Sequence, residues 1–559
     1  MPLFMKSKSG FLILKLLLII VTYYVINAPF IDDRIHFYTL VERWGKMVGF
    51  LIQLFLALLL VTFLSNATKV IKWGFLTLFL INSIAYVTYY NAVGSPLTFS
   101  DFSTLFQAKG MAGDAFLGYI DAVLKGVLIH IPFICVYLWT PKQSVLGLRG
   151  SLVAFLFYLL ILVAYTISLL NTQGRGLIGR PGFLLPTVQF AVYGYANMNN
   201  NEVNEKLKPS PRPNLHHFDV VDNGIDTLIM VIDESINWDL IDLNYPGNVT
   251  PVLQTFPKEN ILNFGKSISY ANCSDLSNAS IRKFVRYGQE EQDLLGEEKI
   301  YLWETMQQAG FTPYLMDAQA NGIGHNYFTK SELENINVLP VTALNDAELI
   351  EVILAAREAK PTEKQFFLII KKGSHLPFFS ENTEVFFTPG MKGLSLANST
   401  REEMINTYKN QTRFETNGFF KEVKEKLDFK HNTVLVYTSD HGQSFRDPGK
   451  KSFHCDTRNP DLEEAVVPLL WIGPDVIKSQ ETLKQLGDQA YGSHYFIPAL
   501  LMASAGFNDH DIANFTQYQQ LLNPENKPRF VFDRAVPMFE SSAQKRDIEV
   551  SDIRALTPQ

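Results

Sequence analysis

Residues 227–235 read Thr-Leu-Ile-Met-Val-Ile-Asp-Glu-Ser, and this stretch decides the fold of the larger part of the chain. Thr227 and five apolar residues without alternation describe a strand buried on both faces, as in parallel sheets. Similar runs follow at Phe311–Met316, Phe366–Ile370, Thr433–Thr438 and Val466–Ile472. Helical patterns lie between several of them, at Lys299–Gln308, Asp346–Glu358 and Glu402–Leu427. Strands alternating with helices predict an α/β domain whose mainly parallel sheet is covered by helices on both faces. Its chemistry is expected just beyond the C-terminal ends of the strands. The chain shows no internal repeat, and neither a Walker-type nor a dinucleotide-binding glycine loop.

Upstream of this domain the composition changes. A bilayer core about 30 Å thick takes about 20 mostly apolar residues per helix. Five stretches meet that length: 11–30, 47–65, 73–91, 122–141 and 150–171. The first is long, lacks an evident small-residue cleavage site and is followed by four more, so it is expected to stay as a span rather than leave as a signal peptide. Lys15, near the start of that span, is expected to reach for the interface. One side of the membrane carries Lys6, Lys8, Lys69, Lys72, Lys142 and Arg149; the other carries Arg34, Arg43, Lys46 and Lys109, with Lys125 at an edge. The narrow excess on the first side predicts a cytoplasmic N-terminus and an external C-terminal part. The expected organisation is therefore an all-α five-helix transmembrane domain over 1–171, a connector over 172–215 and the α/β domain over 216–559. Within the connector, Pro186 interrupts the apolar stretch Phe183–Ala196, which suits a membrane interface, and Lys208–Pro213 reads as a stiff linker.

Bulk composition agrees with a split chain. Of its 559 residues 47% are hydrophobic and only 19% charged, where soluble domains average about 25% charged. A formal net charge of −7 argues against a general nucleic-acid binder. Three cysteines, Cys135, Cys273 and Cys455, are too few for a disulfide framework or a cysteine-rich zinc module.

Polar residues gather at three strand ends. Asp233-Glu234-Ser235 follows the first strand, Lys371-Lys372-Gly373-Ser374-His375 the third, and Ser439-Asp440-His441-Gly442 the fourth. Carboxylates and imidazoles brought to one sheet edge form an N,O ligand set suited to Zn²⁺ or Mn²⁺. The plain reading of any one of them is a helix cap or a solvated turn; their convergence is what favours a metal site. Between the first two sites lies Ala271-Asn-Cys-Ser-Asp-Leu-Ser277-Asn-Ala-Ser280-Ile-Arg282. A hydroxyl beside a divalent ion ionises readily and becomes a nucleophile. Composition leaves Cys273, Ser274, Ser277 and Ser280 open for that role, beside the plain reading of a turn and helix cap.

These landmarks together resemble the membrane-anchored phosphoethanolamine transferases of the alkaline phosphatase/sulfatase superfamily, and more distantly the lipoteichoic acid synthases. The resemblance spans nearly the whole chain and is carried by Val231–Ser235 leading to Leu243–Pro251, by Ala271–Ile281, Leu302–Asp317, Gly373–His375 and Tyr437–Gly442. It implies Glu234, Asp440 and His441 as metal ligands. The family's nucleophile lies four positions after a cysteine, which in this register implies Ser277, a serine in place of threonine. His375 and His454 match histidines around the phosphate. The family's cysteine-rich segment is replaced here by Asn321–Asn326. Asp317, Asn321, His325 and Asn326 are therefore candidates to contact acceptor or donor head group, beside the plain reading of a glycine-rich surface loop. Cys273 and Cys455 are expected to be free thiols, because the family's disulfides join other positions. His494 has no assignment.

The resemblance implies transfer of phosphoethanolamine from phosphatidylethanolamine, through a covalent Ser277 intermediate, to an envelope glycan or lipopolysaccharide lipid A or core. It also implies a multi-pass protein of the bacterial inner membrane with its catalytic domain in the periplasm. Asn-x-Ser/Thr matches at Asn272 and Asn278 are then chance, since glycans there would obstruct the site. The alternatives are a phosphoglycerol transferase using phosphatidylglycerol and a phosphatase- or sulfatase-like hydrolase. Sulfatase chemistry is disfavoured because Cys273-Ser-Asp-Leu-Ser lacks the Pro and Arg that formylglycine formation needs.

Overall fold

The computed structural model describes residues 8–40, 44–93, 97, 102, 120–139, 148–171, 188–196, 198 and 218–556, apart from 296–299, 320–327, 329, 342–344, 376–377, 379–382, 392–398, 446–453, 457–458 and 534–543. Asn321, His325 and Asn326, and the linker 208–213, lie outside the described residues. The chain divides into two compact units, Met1–Ser103 with Tyr119–Asn199, and Thr104–Gly118 with Asn200–Gln559.

The first unit contains α1 (Lys8–Leu40), α2 (Trp44–Leu64), α3 (Lys69–Val93), α4 (Ile120–Leu138) and α5 (Leu148–Asn171). All five are long and apolar enough to cross a membrane. Their outward faces carry large apolar side chains such as Val21, Phe55, Ile81, Leu128 and Leu160, the signature of a surface that meets lipid. Lys15 turns into the bundle, toward the end of α4. It is fully buried, and its Nζ donates to the carbonyls of Tyr137 at 3.1 Å and Trp139 at 2.7 Å. Carbonyls at a helix C-terminus lack intrahelical donors, so a lysine that supplies them is satisfied inside the bundle. His130 packs in the bundle: Nδ1 donates to the Gly126 carbonyl at 2.6 Å and Nε2 meets Ser83 Oγ at 2.8 Å.

The second unit is built on strands β1 (Thr227–Asp233), β2 (Ile261–Asn263), β3 (Ser267–Ile268), β4 (Phe311–Asp317), β5 (Asn337–Val338), β6 (Lys364–Ile370), β7 (Thr433–Ser439), β8 (Val466–Val467) and β9 (Leu469–Ile472). Seven form the main sheet in the order β2-β9-β7-β1-β6-β4-β5. The central strands β7, β1, β6, β4 and β5 are parallel; on one edge β9 pairs antiparallel with β7, and β2 pairs antiparallel with β9. The run Val466–Ile472, expected as one strand, is divided at Pro468. Val466–Val467 pairs with β3 in a small sheet and Leu469–Ile472 with β7 in the main one, because proline has no N–H to continue a ladder.

Both faces of the sheet are covered. Leu228, Met230, Ile232, Val434, Val436 and Leu368 pack against α7 (Leu302–Gln308) and α11 (Ile497–Ser504). The alternate residues Ile229, Val231, Leu435 and Tyr437 are equally buried, with the Tyr437 ring 4.8 Å from Phe420 of α10 (Gly418–Lys426). Between α7 and α10 lie α8 (Leu349–Ala359) and α9 (Arg401–Thr412). Helix α6 (Ser274–Arg282) starts directly after Cys273. The helical pattern Glu402–Leu427 is realised as α9 and α10 joined by a π-turn at Arg413–Asn417.

Candidate active site

Register places the chemistry. β1 pairs in parallel with β7, so that Asp233 lies opposite Ser439, and with β6, so that Ile232 lies opposite Ile370. The residues that follow, Glu234, Asp440-His441 and the Lys371–His375 loop, therefore leave the sheet at one level. The loop after β6 comes close because residue 373 is glycine. Its φ is +54°, and a β-carbon there would collide with Asp233 Oδ1 and stand 2.7 Å from the Glu234 nitrogen. With glycine, the Ser374 N–H donates to the Glu234 carbonyl at 3.1 Å.

Glu234, Asp440 and His441 form a buried cluster whose ligand atoms all lie within 4.8 Å of one another. His441 Nδ1 donates to the Gly442 carbonyl at 2.7 Å, which leaves Nε2 facing Glu234 Oε1 at 3.6 Å and Asp440 Oδ2 at 3.7 Å. Asp440 Oδ1 accepts the backbone N–H groups of Ser235 at 3.0 Å and His441 at 2.7 Å. Its Oδ2 is buried and, among the described residues, has no hydrogen-bond partner. Burial, with the Glu234 charge beside it, pushes the Asp440 carboxyl up to about 7. Burial opposes charge on His441, but Asp440 and Glu234 outweigh it and raise the imidazole pKa. Two buried carboxylates, one orphaned carboxylate oxygen and an imidazole held in a defined orientation fit a divalent cation of the Zn²⁺ or Mn²⁺ type.

The hydroxyl at this cluster belongs to Ser274. Its Oγ lies 3.1 Å from His441 Nε2 and 3.4 Å from Glu234 Oε2. Cys273 is the N-cap of α6, so residue 274 stands at the end of the helix that faces the strand ends. Ser277, one turn on, is fully buried and donates to the Asp440 carbonyl at 2.5 Å, with His494 Nδ1 at 3.5 Å. Ser280 donates to the Leu276 carbonyl within the helix at 2.7 Å.

The sulfatase family model matches residues 226–506, half of the chain and the whole of this cluster. The chain belongs to the sulfatase family. Phosphoethanolamine transferase EptA of Escherichia coli O157:H7 is 25% identical over 279 residues, which are 48% of this chain and 50% of that protein. The chain thus spans about half the length of this relative. The structure of lipooligosaccharide phosphoethanolamine transferase A from Neisseria meningitidis superposes with a TM-score of 0.61 at 17% identity, covering 88% of this chain and 95% of that one. At that identity the likeness is one of fold, and it takes in the apolar helices as well as the sulfatase domain. Both findings agree with the resemblance read from the motifs.

Within this sulfatase-family site, the ring of His454 lies 4.6 Å from that of His441, and its Nδ1 is 3.2 Å from Gln443 Oε1. Burial, and then the neighbouring charges of His441 and His375, lower the His454 pKa well below the ordinary value. Asp317 serves its own loop, where Oδ1 accepts the Gln319 N–H at 3.0 Å. Gln319 then donates to Glu234 Oε2 at 2.9 Å and to the Lys371 carbonyl at 2.8 Å. Sequence reasoning missed Gln319, although it stands two residues beyond a strand end. His494 accepts the Tyr270 N–H on Nδ1 at 3.1 Å and meets Thr438 Oγ1 through Nε2 at 2.9 Å. Burial pushes its pKa down to about 3, so it is a neutral packing group.

The expectation for the cysteines is overturned. Cys273 and Cys455 are not free thiols but a disulfide spanning a sequence separation of 182. The fold brings their Cα atoms to 4.7 Å, a distance that side-chain geometry allows and sequence spacing cannot reveal.

Proposed function

We propose that this protein is a membrane-anchored, metal-dependent phosphoethanolamine transferase whose nucleophile is Ser274. The donor is phosphatidylethanolamine and the acceptor is an oxygen of an envelope glycan or lipopolysaccharide. The observation that carries this reading is the Ser274 hydroxyl, 3.1 Å from His441 and 3.4 Å from Glu234 at the start of α6. The names of both relatives supply the group transferred. Ser277, the residue implied by the cysteine register, is occupied instead with the Asp440 carbonyl.

Glu234, Asp440 and His441 would hold zinc, with Mn²⁺ the nearest alternative by donor type. Such an ion neutralises the two buried carboxylates and favours ionisation of a neighbouring hydroxyl. Ser274 Oγ forms a bond to the phosphorus of the head group as the bond from phosphorus to the diacylglycerol oxygen breaks; diacylglycerol departs with a proton. In the second half an acceptor oxygen bonds to phosphorus, the Oγ–phosphorus bond breaks, and the acceptor's proton restores the Ser274 hydroxyl. The N-terminal end of α6 favours the phosphoryl negative charge. In this reading His375 and His454 hydrogen-bond phosphoryl oxygens or pass a proton to the leaving group. Two half-reactions through one covalent enzyme form give ping-pong kinetics. The five apolar helices fit a bilayer-borne donor, and the reading places the chain in the bacterial inner membrane with the catalytic unit in the periplasm.

Intact mass spectrometry of the full-length protein after incubation with phosphatidylethanolamine tests this. A phosphoethanolamine adduct is expected on the native chain and on Ser277→Ala, and is expected to be absent from Ser274→Ala. An adduct that survives Ser274→Ala refutes the nucleophile. A phosphoglycerol adduct formed from phosphatidylglycerol, with none from phosphatidylethanolamine, refutes the donor.

A further inference from the structure

The two halves of the site are supported differently. Glu234, Asp440 and His441 follow β1 and β7, which lie side by side in the paired core of the sheet. Ser274 and His454 belong to segments outside that ladder, and those segments are stitched to each other at one place. Cys273, the residue before Ser274, is bonded to Cys455, the residue after His454. The Cys455 N–H donates to the Asn272 carbonyl at 2.9 Å. Asn272 Nδ2 donates to the Asp456 carbonyl at 3.0 Å and to Glu464 Oε2 at 2.8 Å, and the Asp456 N–H reaches the same Glu464 oxygen at 3.1 Å. Cys455 itself has a φ of +59°, in the left-handed region that a residue with a β-carbon keeps only when its surroundings impose it.

We propose that the Cys273–Cys455 disulfide is a positioning element of the transfer reaction: it sets Ser274 and His454 against each other across the ligand cluster, and transfer requires the oxidised pair. The proposal rests on the reading of Ser274 as nucleophile. A dithiol reductant supplies two electrons and two protons, the sulfur–sulfur bond breaks to two thiols, and the reductant closes to its cyclic disulfide. Without the covalent link, the hydrogen bonds of Asn272 and Glu464 are left to hold Cys455 and Asp456 to the Ser274 side. Cys455, freed from the bond, leaves its left-handed conformation and carries His454 away from its place 4.6 Å from the His441 ring. Oxidised glutathione reverses the change, taking two electrons and two protons to become two glutathione thiols. The remaining cysteine, Cys135, is a free thiol in α4, so the bridge is the one target of the reductant.

The experiment uses the full-length protein with Cys135→Ser, in detergent, assayed on phosphatidylethanolamine before and after dithiothreitol and again after oxidised glutathione. Reduction is expected to lower kcat by about tenfold or more. KM for the lipid, bound metal per chain and the near-ultraviolet circular dichroism are expected to stay unchanged, and reoxidation to restore kcat. The Cys273→Ser/Cys455→Ser variant is expected to match the reduced protein and to ignore reductant; if it fails to fold, reversible reduction of the native pair decides alone. A reduced, folded protein with full kcat overturns the proposal. So does loss of bound metal or of the dichroism signal on reduction, which makes the bridge a fold staple. Transfer that persists in Ser274→Ala removes the nucleophile reading and this proposal with it. Transfer lost in Ser274→Ala but untouched by reduction removes the present proposal only.

Discussion

Lys371→Met probes the buried charges that stand behind the ligand cluster. Lys371 is wholly buried; its Nζ lies 2.5 Å from Asp233 Oδ2 and 3.4 Å from Asp346 Oδ2, with the Phe419 ring centroid at 4.9 Å. Burial works against its charge, but Asp233 and Asp346 outweigh burial and raise its pKa, so it is a cation in the fold. Asp233 also accepts the Tyr437 hydroxyl at 2.8 Å, the Thr416 hydroxyl at 2.9 Å and, on Oδ1, the Glu234 N–H at 2.9 Å. Methionine replaces the stem of the lysine and leaves these carboxylates without their cation. Removing one partner of a buried pair costs about 3–5 kcal/mol.

The catalytic unit has about 340 residues. At about 2.1 cal/mol/K per residue its unfolding entropy is about 0.7 kcal/mol/K, which turns that cost into a fall in Tm of about 4–7 °C. Thermal unfolding of the full-length protein in detergent, followed by the fluorescence of the buried Trp303 and Trp471, reads this shift. Because Asp233 Oδ1 anchors the Glu234 N–H, metal affinity is also expected to fall by about tenfold or more. Asp233→Asn in the Lys371→Met background is expected to recover part of the loss, since the uncompensated charge is then gone. A Tm change under about 1 °C, or strictly additive losses in the double variant, would refute the reasoning.

Three further outcomes follow from the geometry. Ser277→Ala leaves the Asp440 carbonyl without its 2.5 Å donor and is expected to cost about 1–3 kcal/mol while transfer persists; Tm and adduct mass measured together check both halves. The Glu415 carboxyl is pushed up to about 8 by burial and then by the Asp346 charge, against about 4.3 in the unfolded chain. Between those values the folded state binds more protons, so stability falls as pH rises from about 4.5 to about 8 and then levels off. Glu415→Gln is expected to flatten Tm against pH across that window; an unchanged slope would count against the assignment. Stripping metal with a chelator is expected to abolish transfer and lower Tm. Titrating zinc back to about a hundredfold over its Kd should regain about 2.7 kcal/mol, or about 4 °C; metal analysis alongside shows whether occupancy and Tm move together.

The five helices and the central strands were legible because each depends on one property: apolar length for the spans, unbroken apolar runs for β1, β6 and β7. The clustering of Glu234, Asp440 and His441 was legible for the same reason, as polar residues where such runs stop. What escaped depends on where a helix starts or on contacts far apart in sequence. Counting four positions from Cys273 leads to Ser277, but α6 starts at Ser274. The first residue therefore faces the strand ends, while the one a turn later is directed at the Asp440 carbonyl. The Cys273–Cys455 bridge joins residues 182 positions apart, and no local pattern announces it. Gln319 has an amide that carries no ionisable chemistry, so only its contact with Glu234 reveals it.

Asp233 and Glu234 are consecutive, buried and acidic, yet the fold treats them in opposite ways. Asp233 receives a lysine, two hydroxyls and a backbone N–H, and so needs nothing from outside. Glu234 receives the Ser235 hydroxyl at 2.7 Å and the Gln319 amide at 2.9 Å. Among the described residues its ion pair, like that of Asp440, is with His441 alone. One imidazole cannot balance two carboxylates, and a buried carboxylate without a counter-charge costs several kcal/mol. The lysine beside Asp233 demonstrates that this sheet edge has room for a side-chain cation, yet among the described residues no lysine or arginine pairs with the ligand cluster. Its donor set therefore carries more negative charge than its own side chains balance. A divalent ion would supply the balance, and in the proposed reading Ser274 is the hydroxyl that would benefit from it.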